Sequence, residues 1–325
     1  MLSKYLINFL KKNKKNILKS KVLCIGDIIL DHYISGTVER FSPEAPVPIL
    51  NMLSQNHKIG GAGNVAINIS SVGAKSTIIF LSGLDSSSKI VKKIFNKEKN
   101  IKKININIKN FYTPTKTRFI NTKNHLLRVD NEKSNFKLLN RQKLKIIEIF
   151  KKEVKKNDIV VLSDYNKGLL DRDLIKRIIN LCKKSNKPII ADPKKSDLSF
   201  YNGVDVLTPN QKEMTDAANK NSLSERNLIK FANTLVGKNK INNILITRSE
   251  KGMLLVNENS VKKIRASSKK LIDVTGAGDT VIALFASMLV LGLSIENSAK
   301  ISNFAAGLAI GKIGTASVSF SELIK

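Results

Sequence analysis

The residues with the clearest chemical potential lie in the segment DVTGAGDTVI (273–282), where two glycines meet the start of a long apolar helical pattern. Gly276 and Gly278 allow backbone N–H groups to converge, and the N-terminus of a helix adds about half a positive charge there. Such a nest binds anions, especially phosphate. Asp279 follows in the first turn, where a carboxylate suits a general base that takes a hydroxyl proton during phosphoryl transfer. The alternative is that Asp279 merely caps the helix.

The elements that would position this segment alternate regularly along the chain. Apolar runs such as KVLCIGDII (21–29), KSTIIFL (75–81) and DIVVLSDY (158–165) have the length and β-branched content of buried strands. Strands alternating with helices predict an α/β fold whose parallel sheet is covered on both faces. Three prolines predict that residues 32–58 form a small exposed sheet, and Ile104–Val129 alternates as exposed strands or a hairpin do.

Composition narrows the class of protein. The 325 residues carry 56 Lys+Arg and 26 Asp+Glu, a formal net charge of +30. Only nine of the basic residues are arginine, so the excess is mainly lysine, which lacks the bidentate geometry that reads phosphate and guanine. It therefore indicates either a compositional bias of solvated surfaces or a polyanion-binding role. Two cysteines exclude a disulfide scaffold, and the lack of a long apolar run or signal peptide predicts a cytoplasmic protein with no membrane partner.

Two long motifs resemble a known family. GGAGNVAINIS (60–70) with VGA (72–74), and DVTGAGDT (273–280), resemble the two signatures of the ribokinase (PfkB-type) carbohydrate kinases, in that family's order and about 210 residues apart. The resemblance runs from about residue 20 to the C-terminus. It implies a ribokinase-like three-layer α/β sandwich over 21–325, with a mostly parallel central sheet and a β-sheet lid from 33–58 and 111–129. Residues 1–20 would form a basic helix or arm.

Shorter segments resemble one branch of that family, the heptose-7-phosphate kinases. GDIILDHYISGTVERFSPEAPVPIL (26–50) is similar to their opening, and the other matching segments are SDYNKG (163–168), DPKK (192–195), TPNQKEM (208–214), TRSEKGM (247–253) and GKIGTASVS (311–319). In many bacteria this kinase is fused to a nucleotidyltransferase with an HxGH motif. None of the three histidines lies in such a motif, so we expect a stand-alone kinase without a nucleotidyltransferase domain.

The resemblance implies a reaction and its participants. ATP, with Mg²⁺, would phosphorylate D-glycero-β-D-manno-heptose 7-phosphate at the anomeric O1 to give the 1,7-bisphosphate, on the route to ADP-heptose and the lipopolysaccharide core. Some members of the family also bind K⁺. Lids of this type often pair into a homodimer, and an exposed sheet face would otherwise be an apolar liability. No specific nucleic-acid partner is implied.

Roles at the sugar follow from the same resemblance. Asp279 is implied as the base, and the anion hole would come from Gly276, Ala277 and Gly278. Sugar hydroxyls would be held by Asp31, Asn64 and the backbone of Gly60 and Gly61. These types suit the task, since Asp accepts from hydroxyls and Asn both donates and accepts. The alternatives are that Asp31 is a turn residue and that Asn64 is a helix N-cap.

Roles at the nucleotide are implied in the same way. Asn210 and Glu213 match the element that orders Mg²⁺ and its waters, although they also suit a capped helix start, and both roles are compatible. The remaining implied positions are the nucleotide-lining residues Thr247, Arg248, Gly252 and Asn303, the adenine loop at Lys312 and Gly314, and the monovalent-cation ligands Asp273 and Thr275.

A phosphate already on the sugar needs cations of its own. Arg118 is our first candidate because arginine binds phosphate bidentately. Lys167 is the next, since it follows a strand at the edge where ligands of open α/β sheets lie. Arg128 is the third. In a chain this rich in lysine, the alternative for Lys167 is a plain surface residue.

Two other functions compete with this interpretation. One is a different ribokinase-family kinase, acting on ribose, a ketohexose phosphate or a nucleoside, which would keep Asp279 and change the lid. The other is a nucleic-acid-binding protein on an inactive kinase fold, suggested only by the charge. The sequence has no RNP-type aromatic motif, zinc-ligand spacing or recognition-helix signature to support the latter.

Overall fold

The computed structural model describes residues 2–121, 124–133, 136–267, 272–312 and 314–325. Residues 122 and 123 of the predicted lid and Ile313 of the GKIGTASVS segment lie outside this description. The described strands form one sheet of nine strands and one of four. In chain order the strands are β1 (Lys21–Gly26), β2 (Ile28–Phe41), β3 (Pro48–Gly61), β4 (Lys75–Ser82), β5 (Ile101–Asn107), β6 (Thr115–Asn121), β7 (Asn124–Asn131), β8 (Ile159–Ser163), β9 (Ile189–Asp192), β10 (Val206–Leu207), β11 (Asn243–Thr247), β12 (Met253–Asn257) and β13 (Ser260–Ile264).

The large sheet has the order β13-β12-β11-β10-β9-β8-β1-β4-β5. Its strands are parallel from β11 to β5, and the hairpin β12–β13 adds an antiparallel edge. The mostly parallel sheet predicted from the alternation of strands and helices is confirmed. The described helices are α1 (Lys4–Lys12), α2 (Lys14–Ile17), α3 (Ala62–Ser71), α4 (Ser86–Phe95), α5 (Asn140–Val154), α6 (Arg172–Lys184), α7 (Gln211–Ala217), α8 (Glu225–Asn239), α9 (Ala277–Val290), α10 (Ile295–Ala309) and α11 (Phe320–Leu323).

Two apolar cores cover the two faces of this sheet, because its central strands carry apolar side chains on both sides. Helices α3, α9 and α10 bury one face, and α5, α6 and α8 bury the other. The N-terminal helix α1 contributes Leu6 and Leu10 to the first core, so the basic arm is packed against the domain. Among the described residues no helix is both long and apolar enough to cross a membrane.

The four-stranded sheet, here called the lid, has the order β3-β2-β6-β7. Its strands span residues 28–61 and 115–131. The prediction that Ile104–Val129 forms exposed strands or a hairpin is wrong for its first part. That part lies in β5, which pairs in parallel with β4 at the edge of the large sheet. Strand β5 joins the large sheet because its apolar side chains are buried there. Ile101 belongs to one apolar core and Ile106 to the other, and they are 3% and 7% exposed.

Chain connections at the carboxyl end of the large sheet bring the candidate residues together. The chain leaves β1 at Asp27 and enters the lid, and it returns from β3 directly into α3. The loop after β8 runs from Asp164 to Leu170 along the same edge, and α9 begins there. Ligands of open α/β sheets bind at this edge.

Candidate active site

Asp279 lies in the first turn of α9 and is 2% exposed. The N-cap of the helix is Gly276, whose φ of 79° is left-handed, and no side chain caps this end. The alternative that Asp279 caps the helix is therefore wrong. Its carboxylate instead faces two donors: Asn64 Nδ2 donates to Oδ2 at 2.8 Å, and the Tyr165 hydroxyl donates to Oδ1 at 2.7 Å.

The surroundings of Asp279 give it the proton affinity of a general base at neutral pH. Burial raises its pKa to about 7, the negative charge of Asp31 adds to the rise, and the hydrogen bonds from Asn64 and Tyr165 oppose it. A base whose pKa lies near the working pH is well matched to proton transfer from a hydroxyl group.

Asn64 is held in place by the helix that contains it. Helix α3 starts at Ala62 and its N-cap is Gly61, so the alternative that Asn64 is the N-cap is wrong. One turn later, Asn68 Nδ2 donates to the Asn64 Oδ1 atom at 3.2 Å. This leaves the Asn64 amide nitrogen directed at Asp279.

The glycines before α3 allow a close approach of backbone and side chains. A Cβ atom on Gly60 would lie 2.6 Å from Oδ2 of Asp31, and Gly61 has a left-handed φ of 62°. Neither position accepts a larger residue without displacement of its neighbours. Gly60 thus brings the backbone beside the carboxylate predicted to hold a sugar hydroxyl, whereas Gly61 packs against the backbone of Asp27.

Asp31 lies within strand β2, so the alternative that it is a turn residue is wrong. It is 3% exposed, and Arg118 Nη1 of β6 lies 2.5 Å from its Oδ1 atom. Burial raises the pKa of Asp31, and the Arg118 charge and hydrogen bond offset part of that rise. Arg118, predicted to meet the distal phosphate, is therefore already the partner of the residue predicted to bind sugar hydroxyls.

The predicted nucleotide residues line a pocket of about 500 Å³. Thr247, Arg248, Gly252 and Asn303 all belong to its wall, as do Ala277 and Gly278 from the predicted anion hole. Its lining also includes the apolar side chains of Met253, Val281, Ala306 and Ile310. A slot with an apolar wall and backbone N–H groups at one end suits a planar base joined to phosphates.

Arg248 is fixed at the rim of this pocket. It is 8% exposed, and its Nη1 atom donates to Glu225 Oε2 at 2.7 Å. Its buried Nε atom has no hydrogen-bond partner among the described residues. A buried donor without a partner is costly, so a bound anionic group in this pocket would stabilise it.

Asn210 and Glu213 form a reciprocal capping box at the start of α7. Asn210 Oδ1 accepts from the Glu213 amide and Glu213 Oε2 accepts from the Asn210 amide, both at 2.9 Å. The second carboxylate oxygen of Glu213 meets Lys194 Nζ at 3.1 Å. The capping alternative is thus present, and it is compatible with a role at the phosphates.

The same region contains two neighbouring carboxyl groups, Asp192 and Glu213, whose ionised forms a divalent cation would stabilise. Burial raises the pKa of Asp192 well above its ordinary value, and the charge of nearby Glu213 adds to the rise. Within the described part of the chain, no three His, Cys, Asp or Glu residues converge to hold a metal alone. The residues therefore suit Mg²⁺ shared with nucleotide phosphates and water, which is its usual mode of binding.

The loop residues predicted beside the adenine lie outside the pocket wall as described. Lys312 pairs with Glu322 at 2.7 Å, and the Gly314 amide donates to Asp273 Oδ2 at 2.8 Å. Asp273 Oδ1 accepts from both the amide and the hydroxyl of Thr275, at 2.9 and 2.6 Å. The two predicted cation ligands are thus adjacent, and each carboxylate oxygen already accepts a hydrogen bond.

The remaining cations predicted for the distal phosphate are also paired. Lys167 Nζ meets Glu132 Oε1 at 2.6 Å. Arg128 pairs with Asp130 at 2.8 Å and lies opposite Arg118 across β6 and β7, on the same face of the lid. The structure therefore brings Arg118 and Arg128 to the inner lid face, whereas Lys167 lies on the loop after β8.

Two side chains of the site are absent from the sequence-based predictions. Tyr165 belongs to the SDYNKG segment, from which only Lys167 was selected. Lys58 precedes Gly60 and lies opposite Asp31 in the β2–β3 pair. Burial lowers the pKa of Lys58, and the charges of Asp273 and Asp31 oppose the change. Tyr165 lies inside a motif that was already singled out, whereas Lys58 is the last residue of the predicted lid segment 33–58 and lies in no motif.

Comparison with known proteins identifies the relatives of this architecture. Residues 19–322 match the model of the pfkB family of carbohydrate kinases. The bifunctional protein HldE of Granulibacter bethesdensis is 36% identical over 313 residues, which cover 94% of this chain and 64% of that protein. The HldE of Sulfurimonas denitrificans is 38% identical over 324 residues, with coverages of 94% and 65%. The chain thus spans less than two thirds of the length of these curated relatives.

Solved structures support the fold at lower sequence identity. Escherichia coli phosphofructokinase-2, in a complex with potassium, has a TM-score of 0.78 at 19% identity and covers 94% of this chain and 96% of its own. The ribokinase of Thermotoga maritima has a TM-score of 0.73 at 20% identity, with coverages of 94% and 98%. The predicted ribokinase-like fold is confirmed.

Proposed function

The chain belongs to the pfkB family of carbohydrate kinases, and we propose from this premise that it transfers the γ-phosphoryl group of ATP to the anomeric O1 of D-glycero-β-D-manno-heptose 7-phosphate. The product is the 1,7-bisphosphate, an intermediate toward the ADP-heptose of the lipopolysaccharide core. The observation that carries the proposal is the buried carboxylate of Asp279, which accepts hydrogen bonds from Asn64 and Tyr165. It lies in the first turn of α9, whose Ala277 and Gly278 line the pocket of about 500 Å³.

The protein's own residues supply the proton transfer and the charge stabilisation. Asp279 accepts the proton of the O1 hydroxyl as that oxygen bonds to the γ-phosphorus, and the bond from phosphorus to the leaving oxygen of ADP breaks. The N–H groups at the start of α9 stabilise the charge on the transferring group. Asn210 and Glu213 would hold Mg²⁺ through water, and the ion would neutralise part of the phosphate charge.

The inner face of the lid supports a phosphorylated acceptor. The strand register places Lys58, Arg118 and Arg128 on the same face as Asp31. The hydroxyl of Tyr33 is buried on this face and has no acceptor for its proton among the described groups. These donors suit a sugar that carries a phosphate far from its reacting hydroxyl. The resemblance of residues 26–50 to heptose-7-phosphate kinases selects the heptose among such sugars.

The outer face of the lid supports a homodimer. It carries Leu127 and Val129, which are 58% and 47% exposed, beside the stacked rings of His32 and His57. A second copy covering this face would remove its apolar surface from water. Sedimentation of the wild type and of the L127E/V129E variant tests the proposed homodimer. We expect the wild type to be a dimer and the variant a monomer. A monomeric wild type at micromolar concentration would contradict the proposal.

A panel of acceptors with ATP and Mg²⁺ tests the proposed substrate. The panel contains heptose 7-phosphate, the unphosphorylated heptose, fructose 6-phosphate, ribose and adenosine. We expect the highest kcat/KM with heptose 7-phosphate. Without its phosphate, kcat/KM should fall by at least about 100-fold, because the contacts of that phosphate with the lid arginines would be lost. Turnover of another acceptor in preference to the heptose rejects the substrate but keeps the kinase. Absence of turnover together with salt-sensitive RNA binding rejects both.

A further inference from the structure

The loop after β8 contributes a side chain that contacts the proposed base and that the proposed reaction has not yet used. This loop, residues 164–170, follows the strand that lies beside β1 in the large sheet. Its Tyr165 hydroxyl lies 2.7 Å from Oδ1 of Asp279, across 114 residues of sequence. The hydrogen bond joins the loop to the catalytic helix at the carboxylate that would accept the substrate's proton.

The backbone of the loop is fixed by a second buried carboxylate. Asp27, at the end of β1, accepts hydrogen bonds from the amides of Tyr165, Lys167 and Leu169 at 3.1, 2.9 and 3.2 Å. Asn166 between them has a left-handed φ of 55°. Alternate amides of a short loop therefore converge on one side chain, which sets the direction in which Tyr165 leaves the backbone.

The pKa of Tyr165 determines which group donates the hydrogen bond to Asp279. Burial and the negative charge of Asp279 raise the pKa of Tyr165 well above its ordinary value. The phenol therefore keeps its proton and acts only as a donor. Asn64 donates to the other carboxylate oxygen, so each oxygen has one protein donor and retains a lone-pair direction for the acceptor hydroxyl.

We propose that Tyr165 is a positioning residue of the phosphoryl transfer, whose hydroxyl keeps the Asp279 carboxylate ionised and oriented toward the acceptor. The inference rests on the proposed role of Asp279 as the base. Tyr165 exchanges no proton in the step: the acceptor hydroxyl loses its proton to Asp279, and the phenol keeps its own. The Tyr165 hydrogen bond thereby offsets part of the rise in the pKa of Asp279 that burial causes.

Other ionisable groups face Asp279 and set the background of its titration. Asp31 of the lid raises its pKa, and Asp192 at the end of β9 is affected by the charge of Asp279 in turn. Glu213 of α7 acts on Asp192 and on Tyr165. These groups remain in place in a Tyr165→Phe variant, so a change in the pH profile reports the lost hydroxyl.

The test compares Tyr165→Phe with a matched control, Tyr201→Phe. The Tyr201 hydroxyl is buried and donates to Asp164 of the same loop at 2.7 Å, but it does not contact Asp279. The pH dependence of kcat/KM is measured for both variants with heptose 7-phosphate, ATP and Mg²⁺. We expect the acidic limb of Tyr165→Phe to move up by about one pH unit, which is about a tenfold change in proton affinity. We expect the limb of Tyr201→Phe to stay at its wild-type position.

An unshifted limb in Tyr165→Phe, or equal shifts in both variants, overturns the inference. Asp279→Asn is assayed beside them: if it retains turnover, the proposed base is wrong, whereas an inactive Asp279→Asn with an unshifted Tyr165→Phe rejects only the role of Tyr165. If the panel selects another acceptor, the profiles are recorded with that acceptor.

Should Tyr165→Phe fail to fold, the wild-type protein with its five tyrosines replaced by fluorotyrosine is measured instead. A more acidic phenol donates more strongly, so the limb should move down, and an unchanged limb overturns the inference.

Discussion

Asp279 combines deep burial with a hydrogen-bond donor on each carboxylate oxygen. It is almost completely removed from water, and both of its oxygens have a hydrogen-bond donor. Burial alone would keep it protonated, whereas the donors hold its pKa near neutrality, at about 7. A single residue can thus be stable as an acid in the resting protein and act as a base at physiological pH.

The same balance predicts how stability depends on pH. An Asp in the unfolded chain has a pKa of about 3.9, whereas Asp279 in the fold has one of about 7. Between these values the folded state binds the extra proton, so Asp279 lowers the free energy of unfolding as pH rises, by about 1.4 kcal/mol per unit. Urea unfolding should therefore show that Asp279→Asn is stabilised relative to wild type by about 3 kcal/mol more at pH 8 than at pH 4.5. A difference that does not change with pH contradicts this account.

The partners of individual residues are what the sequence could not supply. The position of Asp279 after two glycines predicted a carboxylate in the first turn of a helix, and the structure has it there. The anion hole beside it stays a prediction. Its donors come from 215 and 114 residues away, and no local pattern connects them. For the same reason the pairing of Arg118 with Asp31, 87 residues apart, was not predicted. Spacing reveals residue types and local elements, whereas these contacts depend on the complete topology.

Helix α9 is the element on which the site depends. It begins at a left-handed glycine, and its first turn carries Asp279 and the residues of the predicted anion hole. The two glycines of GAG nevertheless meet different surroundings. A Cβ atom on Gly276 would lie 2.5 Å from the Asn64 amide nitrogen, whereas one on Gly278 would have no neighbour within 4 Å. Gly278 instead borders the nucleotide pocket.

This difference predicts opposite effects for two alanine variants. Gly276→Ala should lose about 1–2 kcal/mol of unfolding free energy, because alanine disfavours the left-handed conformation, and its kcat should fall as Asn64 is displaced. Gly278→Ala should be at least as stable as wild type, since alanine is the better helix former, and its KM for ATP should rise. Urea unfolding and steady-state kinetics measure both. Equal stability of the two variants, or a larger loss for Gly278→Ala, would show that the helix start is described wrongly.

At the level of the whole molecule, part of the charge of +30 lies away from the site. Lys102, for example, pairs with Glu153 at 2.7 Å, and Lys103 donates to the carbonyl of Phe95, both at the edge strand β5. On the inner lid face, in contrast, Lys58 and Arg118 lie beside Asp31. The alternation of strands and helices was enough to predict the large sheet, but β5 was misassigned because alternation alone does not reveal which sheet a strand joins.

Neutralising charges in the two regions should separate them. The double variant K102Q/K103Q should keep kcat and KM within about twofold of wild type, since exposed lysines of this kind contribute little. Arg118→Gln should raise the KM for heptose 7-phosphate by about tenfold or more, because it removes a phosphate donor and leaves Asp31 without its partner. Initial rates over a range of acceptor concentrations at fixed ATP decide the matter. If the lysine pair had a larger effect than Arg118, the functional charge would lie at the edge strand β5 and not on the inner face of the lid.

The most direct test of the central claim is the turnover number of Asp279→Asn with ATP and heptose 7-phosphate. Product formation at O1 is followed by ³¹P NMR, and ATP binding is measured separately by calorimetry. We expect the wild type to form the 1,7-bisphosphate. We expect Asp279→Asn to bind ATP as the wild type does, but with a kcat lower by about 100- to 10,000-fold, the usual contribution of a general base. A variant that binds ATP and forms the bisphosphate at a rate within about threefold of wild type would contradict it.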